Sequence, residues 1–159
     1  MIKKIAIGLL VALVIIQFFK PARNISSEKS ANDITNKYTV PASVKEIMKT
    51  SCNDCHSNNT VYPWYANIQP VAWWLADHVN EGKRELNFSE FSTYSPKKAH
   101  HKLEEVIEMV KEGEMPLQSY TIIHQNAKLS EPQKLELSNW ADGLMKEIAL
   151  ANNLQPEKK

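Results

Sequence analysis

Hydrophobic positions along the chain recur every three or four residues in four separate stretches, and no run alternates with the period of two expected of a strand. The first stretch opens near Ser43, where Glu46 three residues on suggests a capping box, and places Val44, Ile47 and Met48 on one face. The second starts at Pro70 and presents Val71, Trp74, Leu75, His78 and Val79, with Gly82 as the expected stop. The third opens with Ser95 and Pro96, carries Leu103, Val106, Ile107 and Val110 on its apolar side, and ends at Gly113. In the fourth, Ser130 and Gln133 form a second capping pair ahead of Leu137, Trp140, Ala141, Leu144 and Ile148. The pattern predicts an all-α fold.

Outside these stretches the composition changes twice. Lys3 and Lys4 precede an uncharged run from Ile5 to Phe19, closed by Lys20, Pro21 and Arg23. Residues 1–23 therefore read as a signal anchor or transmembrane segment, with a cleaved export signal as the alternative. The stretch 24–38 is polar and reads as a solvated linker. Residues 39–153 are then one globular domain of ordinary single-core size, and 154–159 a frayed, disordered tail. The net charge of the 159 residues is +1. Without Lys3, Lys4, Lys20 and Arg23 the remainder is weakly acidic, which offers no electrostatic footprint for nucleic acid.

The chemistry is concentrated in one pentapeptide, Cys52-Asn53-Asp54-Cys55-His56, which holds both cysteines of the chain. Cys-x-x-Cys-His is the attachment signature of c-type haem. Offsets of zero, three and four residues put two thiols and an imidazole within an arc of about 100° on one helical turn. That arc lets the thiols take two neighbouring vinyl groups while the imidazole reaches the iron. A zinc half-site would need two further ligands, and no second Cys-x-x-Cys exists. A dithiol redox pair would need a strand before it, where helical periodicity stands instead. The motif predicts one covalent haem c with His56 as proximal metal ligand, and it agrees with export: a bacterial inner-membrane anchor bearing a periplasmic domain, or a soluble periplasmic protein after signal cleavage.

For the sixth coordination position Met115 is placed best, because Gly113 ends a helix and Pro116 biases Met115 away from helical backbone. A thioether is a soft ligand, and His/Met ligation raises the potential relative to two nitrogens. His78, on the apolar side of the second stretch, is the principal rival as ligand or propionate partner; His124, His100 and His101 are weaker ones. Tyr62, Pro63, Trp64 and Trp74 belong to an aromatic cluster suited to enclosing a flat macrocycle. The Pro63 carbonyl is a candidate partner for the His56 imidazole N–H.

Taken together, Cys-Asn-Asp-Cys-His-Ser-Asn-Asn-Thr from Cys52, Tyr-Pro-Trp-Tyr from Tyr62, Pro-Val-Ala-Trp-Trp-Leu from Pro70, Gly-Glu-Met-Pro-Leu from Gly113 and Ala-Lys-Leu-Ser from Ala127 resemble the small membrane-tethered haem-binding-domain proteins of bacteria. The likeness covers about residues 40–144. More distantly, Met-Pro followed by Leu-Ser and a helix bearing Trp140 is similar to the C-terminal half of class I cytochromes c. The resemblance implies Cys52 and Cys55 as thioether anchors, His56 as proximal and Met115 as distal ligand, in a small cytochrome c-like helical domain around one haem. In class I cytochromes c the first and last helices cross, and an aromatic of the last packs at the haem edge. The chain departs from this pattern in the Trp-rich insert between His56 and Met115.

The expected function is a membrane-anchored periplasmic one-electron carrier, not an enzyme, working with periplasmic or inner-membrane redox proteins. The alternative is a haem enzyme or sensor, peroxidase-like or gas-binding, with an open or His-ligated sixth position. A structural Cys/His metal module without haem is the third possibility.

Overall fold

A computed structural model describes residues 1–154, and among them the chain forms helices and turns with no strand. In chain order the helices are α1 (Ile2–Ile16), α2 (Ile34–Lys37), α3 (Ala42–Ser51), α4 (Asn53–His56), α5 (Val71–Glu85), α6 (Pro96–Glu112), α7 (Gln118–Thr121) and α8 (Glu131–Asn152). Three short 3₁₀ turns, Trp64–Asn67, Phe88–Thr93 and Gln125–Ala127, link them. The all-α expectation is met.

The long pair α6 and α8 packs most extensively, and α3 lies against α8. Their apolar faces form the core: Val44, Ile47 and Met48 from α3, Leu103 and Val110 from α6, and Leu137, Ala141, Leu144 and Ile148 from α8. Burying an aliphatic side chain of this size contributes about 1.5–3 kcal/mol, so the periodicity that predicts these helices also supplies the force that packs them. Local signals set their ends. Ser95 accepts from the Lys98 amide at the start of α6, and Gly113 ends that helix at φ +77°, a conformation without penalty only for glycine. Gln133 Oε1 accepts the Ser130 backbone N–H at 2.9 Å, as the capping box before α8 requires.

Four expectations need correction. The capping box at Ser43 does not form: α3 begins after Pro41, and the Ser43 hydroxyl bonds Glu136 on α8 instead. Gly82 does not stop α5, which continues to Glu85. The stretch 24–38 is not a solvated linker. Asp33 caps α2, and Ile34, only 1 % exposed, enters the core beside Phe91 and Val40. A single large aliphatic residue among polar ones carries no periodicity, so the local composition hid it. Leu154 packs against the core, while the rest of the expected tail, 155–159, lies outside the described residues.

The largest correction concerns the N-terminus. At 1.5 Å per residue α1 is about 22 Å long, against a hydrocarbon core of about 30 Å, and among the described residues no helix is long and apolar enough to cross a membrane. The helix gives way at Gln17, where the chain is fastened to the domain. Gln17 Oε1 accepts the Gln69 amide at 2.9 Å, and the Phe19 carbonyl accepts from Gln69 Nε2 at 2.8 Å and Trp73 Nε1 at 2.7 Å. The transmembrane anchor, and the inner-membrane location built on it, are overturned.

Candidate haem site

Cys52 ends α3 with φ −125° and simultaneously opens α4, so the pentapeptide is a separate short turn set at an angle to the helix before it. The break comes where α5 crosses. A Cβ on Gly82 would stand 2.8 Å from the Cys55 carbonyl oxygen and 3.0 Å from the Cys55 Cβ, so α5 and α4 touch through the one residue without a side chain. Asn24 holds the far end of the turn, donating from Nδ2 to the Ser57 carbonyl at 2.8 Å and to Thr60 Oγ1 at 2.9 Å.

His56 is half-buried, with Nδ1 3.0 Å from the Leu86 carbonyl oxygen. A carbonyl only accepts, so Nδ1 carries the proton and Nε2 keeps its lone pair, the state in which imidazole ligates a metal. Burial lowers the imidazole pKa from its ordinary value, against the pull of the Leu86 and Gly82 carbonyls, and so favours the neutral ring. Pro63 does not supply this contact; Leu86, which follows the last turn of α5, does. Thirty residues separate the two partners, and nothing in their local pattern links them.

Cys52 and Cys55 are free thiols. Burial, and then the neighbouring Cys55, push Cys52 up to about 12; burial, and then the Asp54 charge, push Cys55 up to about 11. Both are S–H groups at neutral pH, unlike the depressed thiols of dithiol redox motifs. Among the described residues no three His, Cys, Asp or Glu side chains converge as a metal site, which removes the support for a Cys/His metal module.

Around the pentapeptide runs a cleft. One part, of about 380 Å³, is lined by Cys52, Cys55, His56, His78 and Met115. An adjoining part of about 450 Å³ shares Cys52, His56 and Met115 and is walled by Leu86, Phe88, Val110, Leu129 and Leu137, all members of the core. A third lobe, on the Cys55 side, is almost wholly apolar and is lined by Tyr62, Pro63, Tyr65, Trp74, Leu75 and Val79. Volumes of this order, mostly apolar with a few convergent polar groups, are those of cofactor sites.

The structure thus gathers Cys52, Cys55, His56, Met115 and His78 at one cleft and sets Tyr62, Pro63 and Trp74 at its apolar lobe. Trp64 is not among them: it is 76 % exposed and meets Tyr65 edge-on. Trp140 also lies elsewhere, donating from Nε1 to the Thr39 carbonyl at 3.1 Å and packing on the core, in contrast to the haem-edge aromatic of class I cytochromes c. His124 Nε2 is engaged by the Tyr65 hydroxyl at 2.8 Å, and His101 pairs with Glu104 and Glu105 on α6. His78 has its Nδ1 2.8 Å from the Trp74 carbonyl, one turn back on α5, and its ring over the Trp74 indole.

Gly82, the Leu86 carbonyl, Asp54 and Tyr120 are site groups that pattern reading missed. Only Gly82 left a trace in the sequence, as a glycine within a helical pattern, where a close backbone approach is one explanation.

A family model described as "haem-binding domain" matches residues 11–143. The chain belongs to this haem-binding domain family, and its cofactor is haem. No curated protein and no solved structure matches it.

The residues present fit the group: a neutral imidazole with its second nitrogen fixed, two protonated thiols three residues apart, a thioether in the same cleft, and apolar walls.

Proposed function

We propose that this haem-binding protein holds a single c-type haem, covalently attached through Cys52 and Cys55 and ligated by His56 and Met115, and that it serves as a one-electron carrier between redox proteins. The observation that carries the reading is that Met115 lines the same cleft as His56, while the Leu86 carbonyl keeps His56 Nε2 free to ligate.

Each residue has a separate task. Cys52 and Cys55 would hold haem through two thioethers, each made by adding S–H across a vinyl group, sulfur to the carbon next to the ring and hydrogen to the terminal carbon, so no oxidant would be needed. Leu86 orients His56 through its carbonyl. Gly82 lets α5 back the attachment turn. When bound, haem supplies an Fe(III)/Fe(II) couple whose potential follows the axial ligands. With His56 and Met115 both as ligands, the iron would have no open position for a substrate, and His124 is already bonded to Tyr65.

A second reading has one observation in its favour. His78 lines the cleft with its Nδ1 against a carbonyl, as in His56, and so presents Nε2 as the second available nitrogen. Under that reading His78 is the sixth ligand, or the distal group of a gas-binding or peroxidase-like site.

Protein expressed with a cytochrome c maturation system decides the matter. The expected product is one haem heavier than the bare chain, keeps its pigment through acid-acetone extraction, and loses it in the Cys52→Ser/Cys55→Ser variant. An unmodified mass with both thiols free overturns covalent attachment. Immediate carbon monoxide binding by the reduced protein overturns the filled sixth position, and a spectrum that responds to His78→Ala but not Met115→Ala transfers the ligand to His78.

A further inference from the structure

Asp54, one of the two residues between the cysteines, has both carboxylate oxygens occupied. Oδ1 accepts the Val61 amide at 2.9 Å, and Oδ2 accepts the Tyr120 hydroxyl at 2.7 Å. Tyr120 is sixty-six residues away in sequence, on α7, and α7 begins only two residues beyond Pro116. The hydroxyl therefore ties the segment that carries Met115 directly to the turn that carries Cys52, Cys55 and His56.

The other end of the segment is tied as well. The Met115 amide donates to the Met109 carbonyl at 3.1 Å, which fixes it to the last turn of α6. The Leu117 carbonyl accepts the amides of Tyr120 and Thr121, each at 3.0 Å, so α7 turns as a unit with the chain entering it. The Tyr120 ring is held from its face by His124, centroids 4.4 Å apart and planes 17° from parallel, and His124 is in turn bonded to Tyr65. Asp54, Tyr120, His56 and Met115 all line one part of the cleft.

We propose that the Tyr120–Asp54 hydrogen bond is a latch that positions Met115 for ligation opposite His56, the pair acting through the backbone of 115–120. The proposal rests on the His/Met reading above. A thioether is a weak ligand, and its occupancy depends on how closely the chain confines it, so releasing one end of a short segment allows it to leave. Asp54 spans this gap because its position within the pentapeptide is fixed by the attachment residues on either side.

The test uses the full chain loaded with haem. Tyr120→Phe removes one oxygen and keeps the ring stacked on His124. The weak near-infrared sulfur-to-iron band is expected to fall to half or less of its wild-type intensity, and carbon monoxide binding by the reduced protein to quicken at least tenfold, with Met115→Ala as the limit of complete loss. A residue that only stabilised the fold would lower the melting temperature and leave both signals in place. Should Tyr120→Phe not fold, Asp54→Ala is measured by the same two signals, with the same expectation. Wild-type band intensity and wild-type resistance to carbon monoxide in the variant overturn the latch while Met115 ligation stands. A wild-type protein without the band, or one whose spectrum ignores Met115→Ala, overturns the ligand assignment and the latch together.

Discussion

Gly82 on α5 and Cys55 on α4 meet so closely that a methyl group on the glycine would reach to 2.8 Å from the Cys55 carbonyl oxygen. In an unconstrained helix, glycine to alanine is worth about 1 kcal/mol in favour of alanine. Here the obstacle is backbone, which cannot swing aside, and overpacking costs about 1–3 kcal/mol. The clash wins. Gly82→Ala is therefore expected to lower thermal stability by up to about 2 kcal/mol net and to reduce the yield of covalently loaded protein, measured by melting and by the ratio of haem absorbance to protein. A stabilised, fully loaded variant would show that α4 and α5 do not touch there.

Met115 is the residue on which the carrier reading turns. Replacing Met115 with alanine is expected to remove the near-infrared band, lower the reduction potential by a part of the roughly 0.8 V range that axial ligation spans, and admit carbon monoxide. His78→Ala is expected to leave the band and the potential close to wild type. Redox titration of the two variants side by side separates the assignments.

Ile34 tests whether 24–38 belongs to the folded domain. It is 1 % exposed and packed in the core, so Ile34→Ala is expected to cost about 2–5 kcal/mol, the range for large-to-small changes in well-packed interiors. A solvated linker residue would change stability by less than about 0.5 kcal/mol. Urea unfolding followed by tryptophan fluorescence distinguishes the two.

Gln69, also 1 % exposed, donates to the Phe19 carbonyl and accepts the Trp73 amide at 3.2 Å. Gln69→Leu keeps the volume but removes both bonds, at about 0.5–1.5 kcal/mol each, while the Phe19 carbonyl keeps the Trp73 indole N–H and the Trp73 amide keeps the Pro70 carbonyl. The exit of α1 is then expected to loosen, with trypsin cleaving after Arg23 at least several-fold faster than in wild type. Unchanged proteolysis would mean that the remaining bonds from Gln17 and Trp73 hold the segment without Gln69.

What was legible in the sequence was what neighbouring residues settle among themselves. The Cys52–His56 spacing, the caps at Ser95, Gly113 and Ser130, and the apolar stripes of α3, α6 and α8 are local, because helical geometry converts a short interval in sequence into a shared face or a closed hydrogen bond. The carbonyl that orients His56, the Tyr120 that holds Asp54, the burial of Ile34 and the fastening of Phe19 to Trp73 join residues from 30 to 66 positions apart or depend on the whole core. Only the packed fold decides them, since a buried donor or acceptor takes whatever partner the crossing helices bring within reach.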